Sequence, residues 1–206
     1  FAGLWGPGGW AAGGEMRRLG YAAGLSVFFE TSALGALTQM AGYLGPVALA
    51  AYSIAHNAET TVFMVALGLS VATGVRVGRA TGAGDQGDAR FAGFVGLFAG
   101  SALMGLIGLG LMTLGDRLVG IYTDDAQVIA AATLLLPVVA AVVIPNGGQI
   151  VMGQCNRAMG DAFVASGLYL VAYWMVMVPL GWLLAFHLGM GAAGLLWATG
   201  LGAGLS

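Results

Sequence analysis

The chain has 206 residues and a formal net charge of −2, built from seven Arg, no Lys and nine acids, so only 8% of it is charged. An ordinary soluble domain is about a quarter charged. A chain with this composition and a mean hydropathy of +0.89 cannot cover a water-facing surface. The balance of charge offers nothing to nucleic acid, and Cys155 stands alone, so there is no internal disulfide and the residue reads as a small buried one.

Residues 1–18 form the first segment. Pro7 and five glycines among Gly3, Gly6, Gly8, Gly9 and Gly13 predict a loop or linker there. Met16-Arg17-Arg18 has the charged start of a signal peptide, but the apolar run behind it is too long and carries Glu30, so it reads as a membrane span. A span needs roughly 20 apolar residues to cross about 30 Å of hydrocarbon. Such stretches fall at 19–44, 47–74, 91–115, 127–152, 162–186 and 189–206. The breaks between them are Gly45-Pro46, the charged runs from Arg76 to Arg90 and Asp116 to Asp125, Arg157 to Asp161, and His187 to Gly191. Phe1 is not a start residue and the last apolar run reaches Ser206, so the chain is expected to be a piece of something longer.

These elements predict an all-α, multi-pass integral membrane protein, a six-helix transmembrane lobe over 19–206 with the lipid bilayer as its first partner. The 37 glycines fit that reading, because small residues let membrane helices approach closely. With a cytoplasmic N-terminus, Arg17, Arg18, Arg76, Arg79, Arg90 and Arg157 lie inside and only Arg117 outside, which obeys the positive-inside rule.

Polar residues in the spans carry the functional information because they are expensive there. An ionised carboxylate at the bilayer centre costs about 2.5–3.5 kcal/mol or more. Glu30 sits near the middle of the first span and Glu59 near the middle of the second. Each is a candidate to take up and release a proton or to hold a sodium ion; the plainer alternative is a protonated acid serving only packing. His56 and Asn57 stand beside Glu59, with His56 read as closer to the interface, as is His187. In the fourth span Asn146 and Gln149 follow Pro145 and share a helix face. Pro137 and Pro145 interrupt its hydrogen-bond ladder and predict a bend. A bent helix with amides at mid-membrane suits a cavity that opens alternately, lined by Asn57, Asn146 and Gln149.

Other patterns carry nothing. Gly82 to Gly87 and Gly189 to Gly194 fit GxGxxG, but no βαβ unit surrounds them. A chain without Lys has no Walker lysine, and HExxH, CxxC and GxSxG are all missing. The reading is therefore not an enzyme, with no catalytic residue, no metal site and no cofactor beyond a coupling ion. Gly20/Gly24, Gly74/Gly78, Gly78/Gly82 and Gly96/Gly100 read as helix-packing pairs.

The strings Gly24-Leu-Ser-Val-Phe-Phe-Glu30, Gly42 to Gly45, Leu49-Ala-Ala-Tyr-Ser-Ile54 and Gly68-Leu-Ser-Val-Ala-Thr-Gly-Val-Arg-Val-Gly78 resemble the multidrug and toxic compound extrusion (MATE) family. So do the loop from Gly82 to Arg90 and the run Asn156-Arg157-Ala-Met-Gly160-Asp161. The resemblance covers the chain from about Gly20 onward and implies the second lobe, spans seven to twelve, of a two-lobe twelve-span antiporter in the inner (cell) membrane. It implies efflux of drugs or small organic cations in exchange for H+ or Na+, with the N-terminal lobe as partner. Glu30 falls on the family's coupling acid of span seven, Asn146 where many members carry an acid, and Asn57 where some carry a further one. Glu59, two residues on and so about 200° around an ideal helix, is a candidate replacement for the missing acid. Two other readings stand beside this one: a lipid-linked substrate flippase of the same superfamily, and a half-size remnant that transports nothing.

Overall fold

The computed structural model describes residues 13–158 and 162–205. The part of the expected linker at 1–12, and Met159 to Asp161 at the end of the run that begins at Asn156, lie outside the described residues. The described residues form six helices. They are α1 (Gly14–Tyr43), α2 (Pro46–Gly82), α3 (Gln86–Tyr122), α4 (Ala126–Ala158), α5 (162–187) and α6 (Gly191–Leu205). Within α5, two π-helical stretches, Leu170–Met177 and Leu183–His187, alternate with α-helix.

The turns follow local chemistry. Gly45 takes φ 110, a conformation that favours glycine, and Pro46 occupies the first turn of α2, where its missing N–H costs nothing. The Asp85 side chain caps α3 by accepting from the Asp88 amide at 2.9 Å. Turns of two or three residues fold α1 back on α2, α2 on α3, and α3 on α4.

Two boundary expectations change. The expected linker runs to Arg18, but α1 already begins at Gly14. Helices α2 and α3 also overrun their apolar stretches: the expected break from Arg76 to Arg90 shrinks to the turn between Gly82 and Gln86. Apolar content marks where hydrocarbon ends, whereas a helix continues into water as long as its backbone bonds close. At 37 residues, α2 is about 55 Å long, well beyond the bilayer core.

Four helical segments among the described residues are long and apolar enough to cross a bilayer: Pro46–Gly82, Gln86–Gly115, Ala126–Asn156 and Ser166–His187. The first helix has the length, but Glu30, Thr31 and Ser32 dilute its centre; α6 is apolar but only 15 residues long. α4 lies at the centre and packs against α2, α3 and α6, running unbroken through Pro137 and Pro145. The main core gathers Leu37, Tyr52, Met104, Val139, Met177, Leu195 and Leu196. A smaller cluster of Val77, Ala80, Ala89, Ala92, Val151 and Cys155 closes the end where Arg76 reaches Asp88 at 3.6 Å. Phe91, Phe94, Phe98, Leu106 and Leu109 of α3 are all exposed, an outward face suited to lipid tails and not to water.

Candidate functional site

A cavity of about 650 Å³ opens between α1, α2, α4, α5 and α6. Helical spacing builds its walls. On α1 the inward row is Ser26, Glu30 and Leu34; on α2 it is His56, Glu59 or Thr60, Phe63 and Leu67; on α4 it is Asn146, Gln149 or Ile150, and Gln154. Tyr169 and Tyr173 of α5, four residues apart, complete the row opposite α1, and Thr199 closes the α6 side. Most of these residues lie away from the ends of their helices, so the polar groups gather within the span of the bundle.

Glu30 receives a hydrogen bond from the Tyr173 hydroxyl at 3.4 Å. Tyr173 stacks on Tyr169, with ring centroids 5.4 Å apart, and the Gln149 amide donates to the Tyr169 hydroxyl. Beside them, Trp174 Nε1 donates to Ser32 Oγ at 3.2 Å, and Ser26 donates to Ser166 at 3.1 Å, so α1 and α5 are tied along the cavity's length.

Glu59 is the more deeply held acid, with 6% of its surface exposed. Asn146 Nδ2 donates to its Oε1. His56 Nδ1 lies 3.4 Å from its Oε2, one turn back on the same helix, and the His56 ring stacks on Tyr52. A buried acid is tolerated when its oxygens find such partners.

The structure thus brings four of the five expected site residues, Glu30, Glu59, Asn146 and Gln149, to one cavity. Asn57 is the correction. It does not line this cavity: its exposed side chain accepts a hydrogen bond from the Tyr122 hydroxyl of α3 at 3.0 Å. The reason is the helix turn that separates it from Glu59 by about 200°. His56, read from the sequence as closer to the interface, also lines the cavity. Tyr169 and Tyr173 are cavity residues that sequence reasoning misses. The signal for His56 is its three-residue spacing from Glu59; for the tyrosines it is their own four-residue spacing inside an apolar run.

Among the described residues, no group of three or more His, Cys, Asp or Glu side chains gathers to hold a metal ion. The arrangement suits a small cation or proton at the acids and an amphipathic guest in the remaining volume. Apolar walls with a few placed polar groups are the usual make-up of a ligand cavity.

Residues 22–183 match the MatE family model. The chain is 38% identical over 185 residues to a probable multidrug resistance protein NorM of Caulobacter vibrioides, an alignment that covers 88% of this chain and 39% of that protein. It is 39% identical over 198 residues to the multidrug resistance protein NorM of Burkholderia vietnamiensis, covering 94% of this chain and 42% of that one. The chain therefore spans about two fifths of the length of these curated relatives. Its fold is similar to the crystal structure of the eukaryotic MATE transporter AtDTX14, with a TM-score of 0.87 at 19% identity, over 98% of this chain and 45% of that one. All three are named for multidrug resistance or transport and none for an enzymatic activity. With the family match running from α1 into the last turns of α5, and with a helical bundle whose outer faces suit lipid, this multi-pass membrane protein belongs to the MatE family.

Proposed function

We propose that the chain forms one lobe, the C-terminal one, of a secondary transporter that exports drugs or small organic cations across the cell membrane in exchange for H+ or Na+. Glu30 and Glu59 carry the coupling ion, while Asn146, Gln149 and the two tyrosines shape the guest's share of the cavity. The observation that supports this most directly is the placing of both intramembrane acids on one cavity of about 650 Å³, each with hydrogen-bonding partners on a different helix. Acids inside a membrane are costly and mark ion pathways. The names of the relatives point the same way.

A bound ion changes the balance between inward- and outward-open states only through its different affinity for them. Here Glu30 ties α1 to α5 and Glu59 ties α2 to α4, so neutralising either acid alters a contact between helices. A flippase for lipid-linked phosphates would need basic groups on the cavity, and no Arg lines it among the described residues.

The experiment is drug efflux from cells making the full-length protein with Glu30→Gln. Export is expected to fall by roughly 5- to 100-fold, the ordinary range of a coupling interaction, with the protein still present in the membrane. Export at the unaltered rate sinks the assignment of Glu30.

A further inference from the structure

We propose that His56, Glu59 and Asn146 form a proton-binding triad, in which Glu59 and His56 share one exchangeable proton and the Asn146 amide communicates its presence to α4. The inference rests on the antiport reading and names the ion that this part of the cavity takes.

The chemistry of Glu59's surroundings carries it. Both close partners of this carboxylate are nitrogens: Asn146 Nδ2 on Oε1, and His56 Nδ1 at 3.4 Å from Oε2. Hard cations are held by shells of several oxygens, whereas the groups that meet Glu59's two oxygens as they stand are an amide N–H and an imidazole. A proton needs only one donor and one acceptor. The imidazole is also placed to deliver it, because 29% of the His56 side chain is exposed while 8% of Glu59's is. A proton taken from cavity water at Nε2 makes the ring cationic. Loss of the Nδ1 proton to Oε2 then leaves a neutral ring and a carboxylic acid: one N–H bond breaks and one O–H bond forms, and charge balances.

Asn146 supplies the link to α4. An amide has a donor end and an acceptor end. Its Nδ2 serves Glu59, while its Oδ1 is buried without a hydrogen-bond partner. A carboxylate needs the donor; a carboxylic acid needs an acceptor for its own O–H. When the carboxyl group turns so that its O–H faces α4 instead of His56, turning the amide about its last torsion brings the orphaned Oδ1 round as the acceptor. Asn146 directly follows Pro145, where α4 lacks one rung of its ladder and is most easily deformed.

The other titratable groups near the triad are few. α1 presents Glu30, held by Tyr173; α5 presents Tyr169 and Tyr173; and α2 itself presents Tyr52, stacked on His56. Among the described residues α3, α4 and α6 add no titratable side chain to the cavity.

The test uses the full-length protein and ethidium as the organic cation. In detergent, a pH indicator counts the protons released as ethidium binds. Glu59→Gln, His56→Gln and the double variant should each release about one proton fewer than the unaltered protein, because coupled groups sharing a proton titrate as a unit. In proteoliposomes a pH gradient should drive ethidium exchange and a sodium gradient at uniform pH should not. His56→Gln should lower the pH-driven rate by roughly 5- to 100-fold. Unchanged proton release from His56→Gln overturns the triad, as does sodium-driven exchange that Glu59→Gln abolishes. If ethidium moves under neither gradient, the antiport reading fails, and acid–base titration of the unaltered protein against the His56→Gln and Glu59→Gln variants, without ethidium, decides for or against the pair: each variant should take up about one proton fewer. Should Glu59→Gln not fold, His56→Gln, at a partly exposed position, decides the same question.

Discussion

Glu30 and Tyr173 show how little separates a packing residue from a working one. Tyr173 is buried within an apolar stretch of α5, and its hydroxyl donates a hydrogen bond to the Glu30 carboxylate. Removing that hydroxyl leaves the stacked pair with Tyr169 intact and takes away one donor, worth about 0.5–1.5 kcal/mol. Tyr173→Phe is therefore expected to weaken export by roughly two- to tenfold without loss of protein, measured as the rate of drug efflux against membrane abundance. Asn57 and Glu59 make the complementary point: two residues apart, one faces Tyr122 on the exposed side and the other lies buried against α4. The cost of burying an acid explains why Glu59 has partners on two helices, but not which acid faces inward; the turn of α2 decides that.

Among the elements, α2, α3 and α4 owe their closeness to glycine at the contact. A methyl group at Gly96 would overlap Cγ2 and Oγ1 of Thr73 and come within 2.9 Å of its Cβ, and one at Gly100 would lie 3.2 Å from Val151 Cγ2. These two are true packing glycines, as their spacing suggests. Gly20, Gly24 and Gly82 meet nothing within 4 Å, so the same spacing there has no neighbour among the described residues. Gly96→Ala is expected to destabilise the bundle by about 1–3 kcal/mol, the usual cost of overpacking. Thermal unfolding in detergent should report a lowered midpoint, and Thr73→Ala in the same protein should recover part of it. If Gly96→Ala unfolds at the unaltered temperature, α2 and α3 do not approach as closely as described. In α5 the π-helical stretch Leu170–Met177 contains Tyr173 and precedes Pro179, which cannot donate to the carbonyl of Met175. Wider turns at functional stretches are common.

At the scale of the whole molecule, the arginines define an end. Arg17 and Arg18 open α1, Arg76 and Arg79 close α2, and Arg90 lies in the first turns of α3, with the Asp85 turn among them. The opposite turn between α3 and α4 holds Thr123, Asp124 and Asp125 and no Arg. The positive-inside rule then predicts a cytoplasmic Asp85 turn. In a full-length protein cleared of other cysteines, with Cys155→Ala, an impermeant maleimide should label Asp124→Cys in intact cells and Asp85→Cys only after the membrane is opened. The reverse pattern would invert the orientation.

The sequence by itself determined the medium and the class: with 8% charged residues and long apolar runs, only helices in a bilayer satisfy the backbone. It also singled out the two costly acids, because these depend on composition and on local spacing. What only the tertiary structure decided was which polar groups meet. Asn146 and Glu59 are 87 residues apart in the chain, and Tyr173 and Glu30 are 143 apart. In an apolar chain nearly every helix face reads alike, so periodicity does not say which face turns inward. Packing does, by placing small residues where helices touch and by leaving the unpaired polar groups to find one another across a single cavity.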